Sequence, residues 1–350
     1  MAIRPAVRPR PRERVVDLLE ALIAVPSPSG FAHDAIAHVQ KVAQAAGLQA
    51  QVTNKGGLVV GNHPRPRLVV SGHVDTLGAM VSGINADGHL AFTKIGGPLL
   101  PSFEGNHVTI VTGGGQRYTG TLILQNPAAH VNKEAGTLER KPENMYIRLD
   151  CEVSAKKDTE ALGIAIGDFV LFDPGFRYTE TGFVKSHFLD DKAGCAVMMD
   201  GFLRLGAARL KKLPVCFFFS NYEEVGHGAA AGFPDSALEM LVIDMGVVGR
   251  QVAGDEFSVS ICVKDSSGPY DYGIRQTLTR LARERRLPYK LDVFPFYGSD
   301  GSAALVAGHN IRVGLIGPGV SASHGSERTH VKGLLATRDL MLAYIEETLG

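Results

Sequence analysis

The sequence of 350 residues predicts an α/β protein with a mostly parallel central sheet flanked by helices and an inserted small β-rich barrel domain. Strands and helices alternate after Asp190, which is typical of a parallel sheet covered on both faces. The earlier segment RLVVSGHVDT (67–76) is an apolar, β-forming run that ends in polar residues, as a buried strand with an exposed end does. Between these regions, short β-type segments alternate with turn signals such as NADG and GGG, which indicates a small antiparallel barrel or sandwich.

The individual elements follow from local composition. Residues 12–47 predict two helices separated by the loop VPSPSGF (25–31), whose prolines and glycine interrupt regular structure. After the β-rich block, β-forming apolar runs predict strands and longer amphipathic runs predict helices. In chain order these are the helix DKAGCAVMMDGFLRLGAARL, the strands VCFFFSN and ALEMLVIDMG, the helix YDYGIRQTLTRLARERRL, the strand KLDVFPF, the short helix SDGSAALVAG, the strand IRVGLIGP and the helix VKGLLATRDLMLAYIEETL. Because the β-rich block interrupts this alternation, we expect a discontinuous main domain (1–76 and 183–350) and an inserted domain (77–182).

The composition argues against several classes of partner. Lysine plus arginine equals aspartate plus glutamate, at 36 each, so no nucleic acid or acidic membrane surface is expected. The arginines of RPRPRER (8–14) alternate with prolines and predict a solvated tail.

No apolar run approaches the ~18 residues of a membrane-spanning helix, and no secretory signal is visible. The 4 cysteines are scattered without a CxxC pair, which favours reduced thiols and a cytoplasmic location.

Polar side chains follow the predicted strands at the edge where α/β sheets bind ligands. They comprise His73, Asp75, Asp190, Asp191, Glu223, Glu224, Asp244 and His324. Imidazoles and carboxylates without thiolates are ligands for zinc, cobalt or manganese. The set is larger than one site needs, which suggests two divalent ions that share a bridging carboxylate.

Each of these features also has a structural explanation. A lone His-x-Asp is commonly a surface or core pair, and Asp190 and Asp191 match an N-cap followed by a first-turn acid. The pair Glu223 and Glu224 is more specific, because two neighbouring acids at the end of a buried strand are costly unless a cation compensates them. Their combined order along the chain makes coincidence a poor explanation.

The order HxD, DD, EE, D, H resembles the M42 metallo-aminopeptidases (glutamyl, deblocking and tetrahedral aminopeptidases). The matching segments are IAVPSPSGF, SGHVDTLGAM, LGIAIGDFVLFDPG, FLDDKAGCAV, NYEEVG, VIDMG, and SDGSAAL followed by SASHGSE. They span nearly the whole chain. The ending VFPFYGSD…SASHGSERTHV is most similar to an M42 subgroup associated with the N-acetylglutaminylglutamine amide osmoprotectant system.

The resemblance implies a role for each position. His73 would bind one metal together with Asp244, and Asp75 would accept the other ring N–H of His73 and fix its tautomer. Asp190 would bridge the two metals, with Asp191 behind it. The remaining assignments are Glu224 and His324 as ligands of the second metal and Glu223 as the general base.

The implied reaction is hydrolysis of the N-terminal residue from a small peptide or related amide. A metal-bridging water would lose its proton to Glu223 and attack the carbonyl. The metals would be zinc or cobalt, with manganese as a further candidate. The family also implies homo-oligomers built from dimers, often dodecamers, in which the inserted domain makes contacts and limits access to small peptides.

Several alternatives stay open at this point. His330 is a second candidate for the last ligand, although HGSE directly follows the strand and matches the family pattern better. Where many M42 members continue EEVG with x-Arg-Gly-Ala, this chain has HGAAAG, so substrate preference does not carry over. An M20-type deacylase or carboxypeptidase uses similar ligands, but there the insertion follows the bridging acid, whereas here it lies between His73 and Asp190. A scaffold protein that binds metal without catalysis is the remaining hypothesis.

Overall fold

The computed structural model describes residues 12–349, so most of the arginine-rich segment 8–14 lies outside the described residues. Within that range the α-helices are α1 (Arg14–Ile23), α2 (His33–Ala45), α3 (Lys156–Ala161), α4 (Leu189–Leu210), α5 (Tyr272–Glu284), α6 (Asp300–Val306) and α7 (Val331–Leu349). The two N-terminal helices and α4 to α7 match the helices that the sequence predicts. None of these described helices contains a stretch long and apolar enough to cross a bilayer.

The β-strands form two separate systems. The 12-stranded main sheet contains β1 (Ala50–Val52), β2 (Leu58–Val60), β3 (Leu68–His73), β10 (Arg177–Tyr178), β11 (Phe183–Ser186), β12 (Val215–Ser220), β13 (Glu239–Ile243), β14 (Gly246–Val248), β15 (Val259–Lys264), β16 (Tyr289–Val293), β17 (Arg312–Ser321) and β18 (Glu327–His330). The barrel contains β4 (Gly78–Ile84), β5 (Leu90–Ile95), β6 (His107–Val111), β7 (Arg117–Leu124), β8 (Met145–Leu149) and β9 (Phe169–Phe172).

The main sheet has a parallel centre and antiparallel edges. Strands β12, β3, β13 and β17 lie side by side and run parallel. On one side β2 pairs antiparallel with β12, and on the other β18 pairs antiparallel with β17 and β11. The predicted α/β class and parallel core are therefore confirmed, and the complete sheet is mixed because hairpin-like strands extend both edges.

The inserted barrel is closed and antiparallel, in the order β4-β5-β8-β7-β6-β9. This confirms the predicted small β-rich barrel. Its chain leaves the main sheet after β3 and returns to it through β10 and β11. The domain boundaries stay a proposal, and because β10 pairs within the main sheet, we propose that the insertion ends near Phe172 rather than at residue 182.

Strand β12 shows how the sequence buries the centre of the sheet. All of its residues are buried, as its uninterrupted apolar run VCFFF predicts for a strand covered on both faces. Phe217 and Phe219 pack edge-on against Phe202 of α4, with ring centroids 5.7 and 6.4 Å apart. Phe218 points to the opposite face and contacts Phe233 at 6.2 Å. Burial on both faces fixes the strand's position, and so the position of the acids that follow it.

Candidate metal centre

The candidate ligands converge because parallel strands end at one edge. His73 is the last residue of β3 and stands beside Ser220, the last residue of β12, in the sheet register. Glu223 and Glu224 follow β12, and Asp244 follows β13 directly. The carboxyl ends of adjacent parallel strands therefore bring these residues together, as the sequence predicts.

One half of the site is built around His73. Its Nε2 atom lies 3.2 Å from Oδ1 of Asp190 and 3.7 Å from Oε2 of Glu223. Two sets of three residues could hold a metal ion: His73 with Asp190 and Glu224, and His73 with Asp191 and Asp244. Within each set, one ligand atom from every residue lies within 4.8 Å of the other two. Each group has the size and donor chemistry of a divalent metal site.

The other half is built around His324. Its Nε2 atom lies 3.5 Å from Oε2 of Glu224 and 3.7 Å from Oδ2 of Asp190. The two oxygens of Asp190 thus face different histidines, which is the arrangement expected of a carboxylate shared by two metals. His330 lies elsewhere: its Nε2 is 2.9 Å from the carbonyl of Thr181, and its ring packs edge-on against Phe183.

Asp75 organises the segment that carries the two glutamates. Its carboxylate accepts hydrogen bonds from the backbone N–H groups of Glu223 (3.2 Å) and Glu224 (3.4 Å), and from the hydroxyl of Ser29. The nearest acceptor to Nδ1 of His73 is the backbone carbonyl of Asp75, at 2.9 Å, while its carboxylate oxygen is 3.7 Å away. Asp75 therefore contacts His73 through its backbone carbonyl rather than through the carboxylate that the resemblance implies.

Two residues that the sequence does not single out hold the other ligands. Glu327 is buried, and its carboxylate accepts the backbone N–H of His324 (2.9 Å) and of Asp190 (3.2 Å). The Nδ1 atom of His324 lies 3.1 Å from the carbonyl of Gly97, a residue of the inserted barrel segment. Since that carbonyl can only accept, Nδ1 carries the proton and Nε2 is left available to bind a metal.

A third unassigned residue, Asp300, lies beneath the glutamate loop at the start of α6. Its oxygens accept hydrogen bonds from Ser71 (2.6 Å), from Ser220 (2.7 Å) and from the backbone N–H of Ala229 (2.9 Å). A Cβ atom on Gly228 would lie only 2.1 Å from this carboxylate, so the loop approaches closely because position 228 has no side chain. Asp300 thus joins β3, β12 and the loop after the glutamates.

The backbone next to these ligands adopts an uncommon conformation. Phe188, Tyr222 and His324 have φ values of 67°, 73° and 63°, in the left-handed region that residues other than glycine seldom adopt. Phe188 precedes the segment of Asp190, and Tyr222 precedes Glu223. Such conformations cost free energy and persist where surrounding contacts impose them, commonly at functional sites.

Without a cation, this concentration of acids shifts their ionisation strongly. Burial raises the pKa of Asp244 to about 7, and the charge of Asp190 contributes in the same direction. Burial and neighbouring carboxylates also raise the pKa of Glu223 and Glu224 well above the usual range. For Asp190, burial alone would raise the pKa, but the hydrogen bond and charge of His73 lower it.

The residues present fit divalent metal ions. Oε1 of Glu224 and Oδ2 of Asp191 are buried without a hydrogen-bond partner, which is costly unless a cation or water compensates them. Both belong to the candidate groups, and all the donors are imidazole or carboxylate. The site opens into a cavity of about 510 Å³. Four candidate ligands line it, Asp190, Glu224, Asp244 and His324, together with Met245, Val247, Phe296 and Tyr297.

The mixed sheet, the inserted barrel and this cluster of acids and imidazoles are those of an α/β protein with a candidate centre for divalent metal ions. A model of the M42 glutamyl aminopeptidase family matches residues 56–340, and the chain belongs to this family of metallo-aminopeptidases. Family membership favours the M42 over the M20 hypothesis.

Individual relatives agree with this assignment. The chain is 43% identical over 341 residues to "Putative aminopeptidase YhfE" of Bacillus subtilis (strain 168), covering 96% of this chain and 98% of that protein. Aminopeptidase APDkam598 from the archaeon Desulfurococcus kamchatkensis has a similar structure, with TM-score 0.84, 23% identity and coverage of 96% and 95% of the two chains. PhTET1-12s, a dodecamer in its asymmetric unit, gives TM-score 0.81 and 21% identity, with 95% of this chain and 98% of that chain covered. These two structures show a shared fold.

Proposed function

We propose that the protein is a dinuclear-metal aminopeptidase that removes the N-terminal residue from small peptides or related amides. The observation that carries this proposal is the position of Asp190, whose two carboxylate oxygens face His73 and His324 separately. A third group, Glu223, stands next to this bridge and lines the adjoining cavity.

The chain's own residues divide into two metal sites. His73 and Asp244 would hold one metal, Glu224 and His324 the other, and Asp190 would bridge them. Zinc or cobalt suits this nitrogen and oxygen donor set best, and manganese is a further candidate. When bound, such ions lower the pKa of water and polarise a carbonyl oxygen.

Glu223 is the proposed general base. The side chain of Glu223 is 15% exposed, whereas that of Glu224 is 3% exposed, so the two neighbours differ in their access to the cavity. Glu223 takes a proton from the attacking water as the water oxygen bonds to the carbonyl carbon. It returns that proton to the nitrogen as the C–N bond breaks, so the products are an amino acid and a free amine.

Asp75 is proposed to support catalysis by orienting other groups. It accepts the backbone N–H groups of Glu223 and Glu224, which fixes the segment that carries the base and a metal ligand. It also places its own carbonyl against Nδ1 of His73, which leaves Nε2 free to bind metal. These contacts support the assignment of Asp75 to the residues that serve catalysis.

We propose that the protein is cytoplasmic and forms homo-oligomers built from dimers, up to a dodecamer. The dodecameric PhTET1-12s structure supports the assembly, and the cysteines, all free and mostly buried, suit a reducing compartment. We propose that the inserted barrel mediates dimer contacts or limits access, and that neither nucleic acid nor membrane is a partner. Light scattering on the purified protein would give the mass of the assembly.

A hydrolysis screen tests the proposed activity. The metal-free protein is reconstituted with zinc, cobalt or manganese and assayed with amino acid amides that differ in the N-terminal residue. The same panel includes N-blocked and amide-capped dipeptides, which also test the proposed placement in the osmoprotectant-associated subgroup. We expect release of the N-terminal residue only after metal is restored. Full metal occupancy without turnover on any substrate would instead favour a metal-binding scaffold.

A further inference from the structure

A second cavity, of about 380 Å³, adjoins the cavity of the metal centre. Glu223, Gly226 and Gly298 line both cavities, so the two spaces meet beside the carboxylate of the proposed base. The first cavity contains the acidic metal-site residues, whereas the second is bounded by α6 and the loop that follows Glu224. The two cavities therefore offer different chemistry on either side of one catalytic group.

One wall of the second cavity is apolar. Ala303, Val306 and Ala307 all line it from α6 and the residue that ends that helix, and their spacing places them on one helical face. Val306 is 83% exposed, so its side chain is open to solvent and available to a ligand that enters the cavity. A wall of this kind favours an aliphatic side chain over a charged one.

Apart from Glu223 and His227, the polar side chains of the lining are serine hydroxyls, two of which have partners within the protein. The Ser299 hydroxyl lies 2.8 Å from that of Tyr270, and the Ser302 hydroxyl donates to the Ser299 carbonyl at 2.9 Å. Among the described residues, the lining includes His227 but neither lysine nor arginine. Lys55, whose ammonium donates to the backbone carbonyls of His227 and Gly228, stands beside the lining without belonging to it. A ligand carboxylate would therefore gain no contact with a basic side chain of the lining.

The position of Glu223 decides which part of a substrate each cavity receives. The carbonyl that bound metals would polarise belongs in the first cavity, whose lining includes the proposed ligands, and the N-terminal residue carries that carbonyl. Glu223 must reach the leaving nitrogen to deliver its proton, so the chain beyond that nitrogen continues past Glu223. Resting on the proposed aminopeptidase function, we propose that the second cavity binds the residue after the scissile bond and prefers an uncharged, aliphatic side chain there.

The test compares substrates that do and do not occupy this cavity. A screen of amino acid amides first identifies the N-terminal residue that the metal-reconstituted enzyme releases fastest. That residue is then assayed as its simple amide and as dipeptide amides with Leu, Gln or Glu in the second position. We expect kcat/KM with Leu or Gln to exceed that with Glu by about tenfold or more, the lower end of what one side-chain contact contributes to specificity.

Two cavity-filling variants make the assignment specific. Ala303→Leu and Ala307→Leu should each reduce kcat/KM for the Leu dipeptide by about tenfold, while turnover of the simple amide stays within about twofold. Ala303→Ser preserves the side-chain size and serves as the matched control. Retained turnover of the simple amide also shows that each variant is folded and holds its metals.

The outcomes separate this subsite from the activity on which it rests. Equal loss on the simple amide and the Leu dipeptide, or no loss on the dipeptide in either Leu variant, would overturn the subsite alone. Equal kcat/KM for Leu and Glu in the second position would overturn the charge preference. Absence of any cleavage by the unmodified, metal-loaded enzyme would overturn the aminopeptidase proposal and the subsite with it.

Discussion

The buried carboxylate of Glu327 accepts the backbone N–H of His324 at 2.9 Å, and through its other oxygen it accepts the N–H of Asp190 at 3.2 Å. One side chain thus fixes the relative position of two candidate ligands that lie far apart in the sequence. His324 is also held in the left-handed backbone region, with φ of 63°, which this hydrogen bond helps to maintain.

The first prediction concerns the support that Glu327 gives to His324 and Asp190. Glu327→Gln removes one acceptor oxygen and sets an amide N–H₂ against a backbone N–H, so the ligands should lose their alignment. We expect metal affinity to fall by about 10–100-fold, the range typical of residues that orient ligands. Competition with a chromophoric chelator would measure it. Glu256→Gln, which weakens the pairing of a buried glutamate with the half-exposed Arg328, is the control and should leave metal affinity unchanged.

The two adjacent glutamates should behave differently when each is neutralised. Glu223→Gln should reduce kcat by at least about 100-fold, because it removes the base, while the metal content stays nearly complete. Glu224→Gln should lower metal occupancy, because it replaces a proposed ligand. Elemental analysis and steady-state kinetics on both variants check the pair. Loss of metal with residual turnover in Glu223→Gln would overturn the assignment of the base.

His324 and His330 provide a comparison between a proposed ligand and a residue outside the site. His324→Ala should weaken binding of one metal by at least roughly 100-fold, more than loss of an orienting residue does. His330→Ala should change metal binding little, because its contacts are with Thr181 and Phe183. Titration calorimetry with zinc distinguishes them. If only His330→Ala bound metal more weakly, His330 rather than His324 would be the ligand.

Asp300 should affect turnover by positioning Glu223 and His73. Asp300→Ala removes the hydrogen bonds to Ser71, Ser220 and Ala229, and we expect kcat to fall by about 100-fold, as small misplacements of catalytic groups do. Asp300→Asn keeps the shape and most of the bonds, so it should recover kcat to within about tenfold. KM should change little in both. If Asp300→Asn were as defective as Asp300→Ala, negative charge rather than positioning would explain the residue.

Asp200 should contribute to stability through helix packing. Its buried carboxylate joins Arg14 of α1, Arg204 of α4 and Arg338 of α7. We expect Asp200→Asn to lower the free energy of unfolding by about 2 kcal/mol at pH 7, less than for a fully buried pair because two of the arginines are half-exposed. Urea unfolding measures it. Asp17→Asn, at an exposed pair on α1, should cost about 0.5 kcal/mol or less.

The contribution of Asp200 should also depend on pH. Burial raises the pKa of Asp200, but hydrogen bonds from the three arginines outweigh it and hold the pKa below the usual value. A lowered folded-state pKa stabilises the protein above the unfolded-state value of about 3.9 and loses that effect as pH falls through the folded-state pKa. The difference between the native protein and Asp200→Asn should therefore be constant above about pH 5 and shrink at lower pH. A difference that grows on acidification would contradict this origin.

The sequence predicted the candidate ligands because their placement follows from a simple rule. His73, Glu223 and Asp244 each follow an apolar run, and parallel strands end at one edge, so proximity required only the strand assignments. The barrel was predictable because turn signals separate its short strands. The short β1-β2 hairpin at one edge of the main sheet was missed because pairing rather than local composition defines it. The sequence analysis also missed β15 (Val259–Lys264), which lies between β16 and β17.

The supporting residues were not predictable in the same way. Glu327 and Asp300 lie in the segments SASHGSE and SDGSAAL, which helped to identify the family, but their partners are distant in sequence. No local pattern states that an acid will accept hydrogen bonds from segments far away in the chain. The strand-end rule does not find Asp300 either, because β16, which precedes it, runs opposite to the parallel core strands and ends at the other edge of the sheet.

The turn at Gly97 gives the barrel a part in the metal centre. Its carbonyl lies 3.1 Å from Nδ1 of His324, and the N–H of Leu99 donates to the His324 carbonyl at 3.0 Å. A Cβ atom at position 97 would lie 3.1 Å from that ring nitrogen, so a glycine permits the close approach. A barrel transplanted from a relative would have to supply a turn of the same shape. The barrel is therefore part of the support of His324, and a change in its Gly97 turn also changes how this candidate ligand is held.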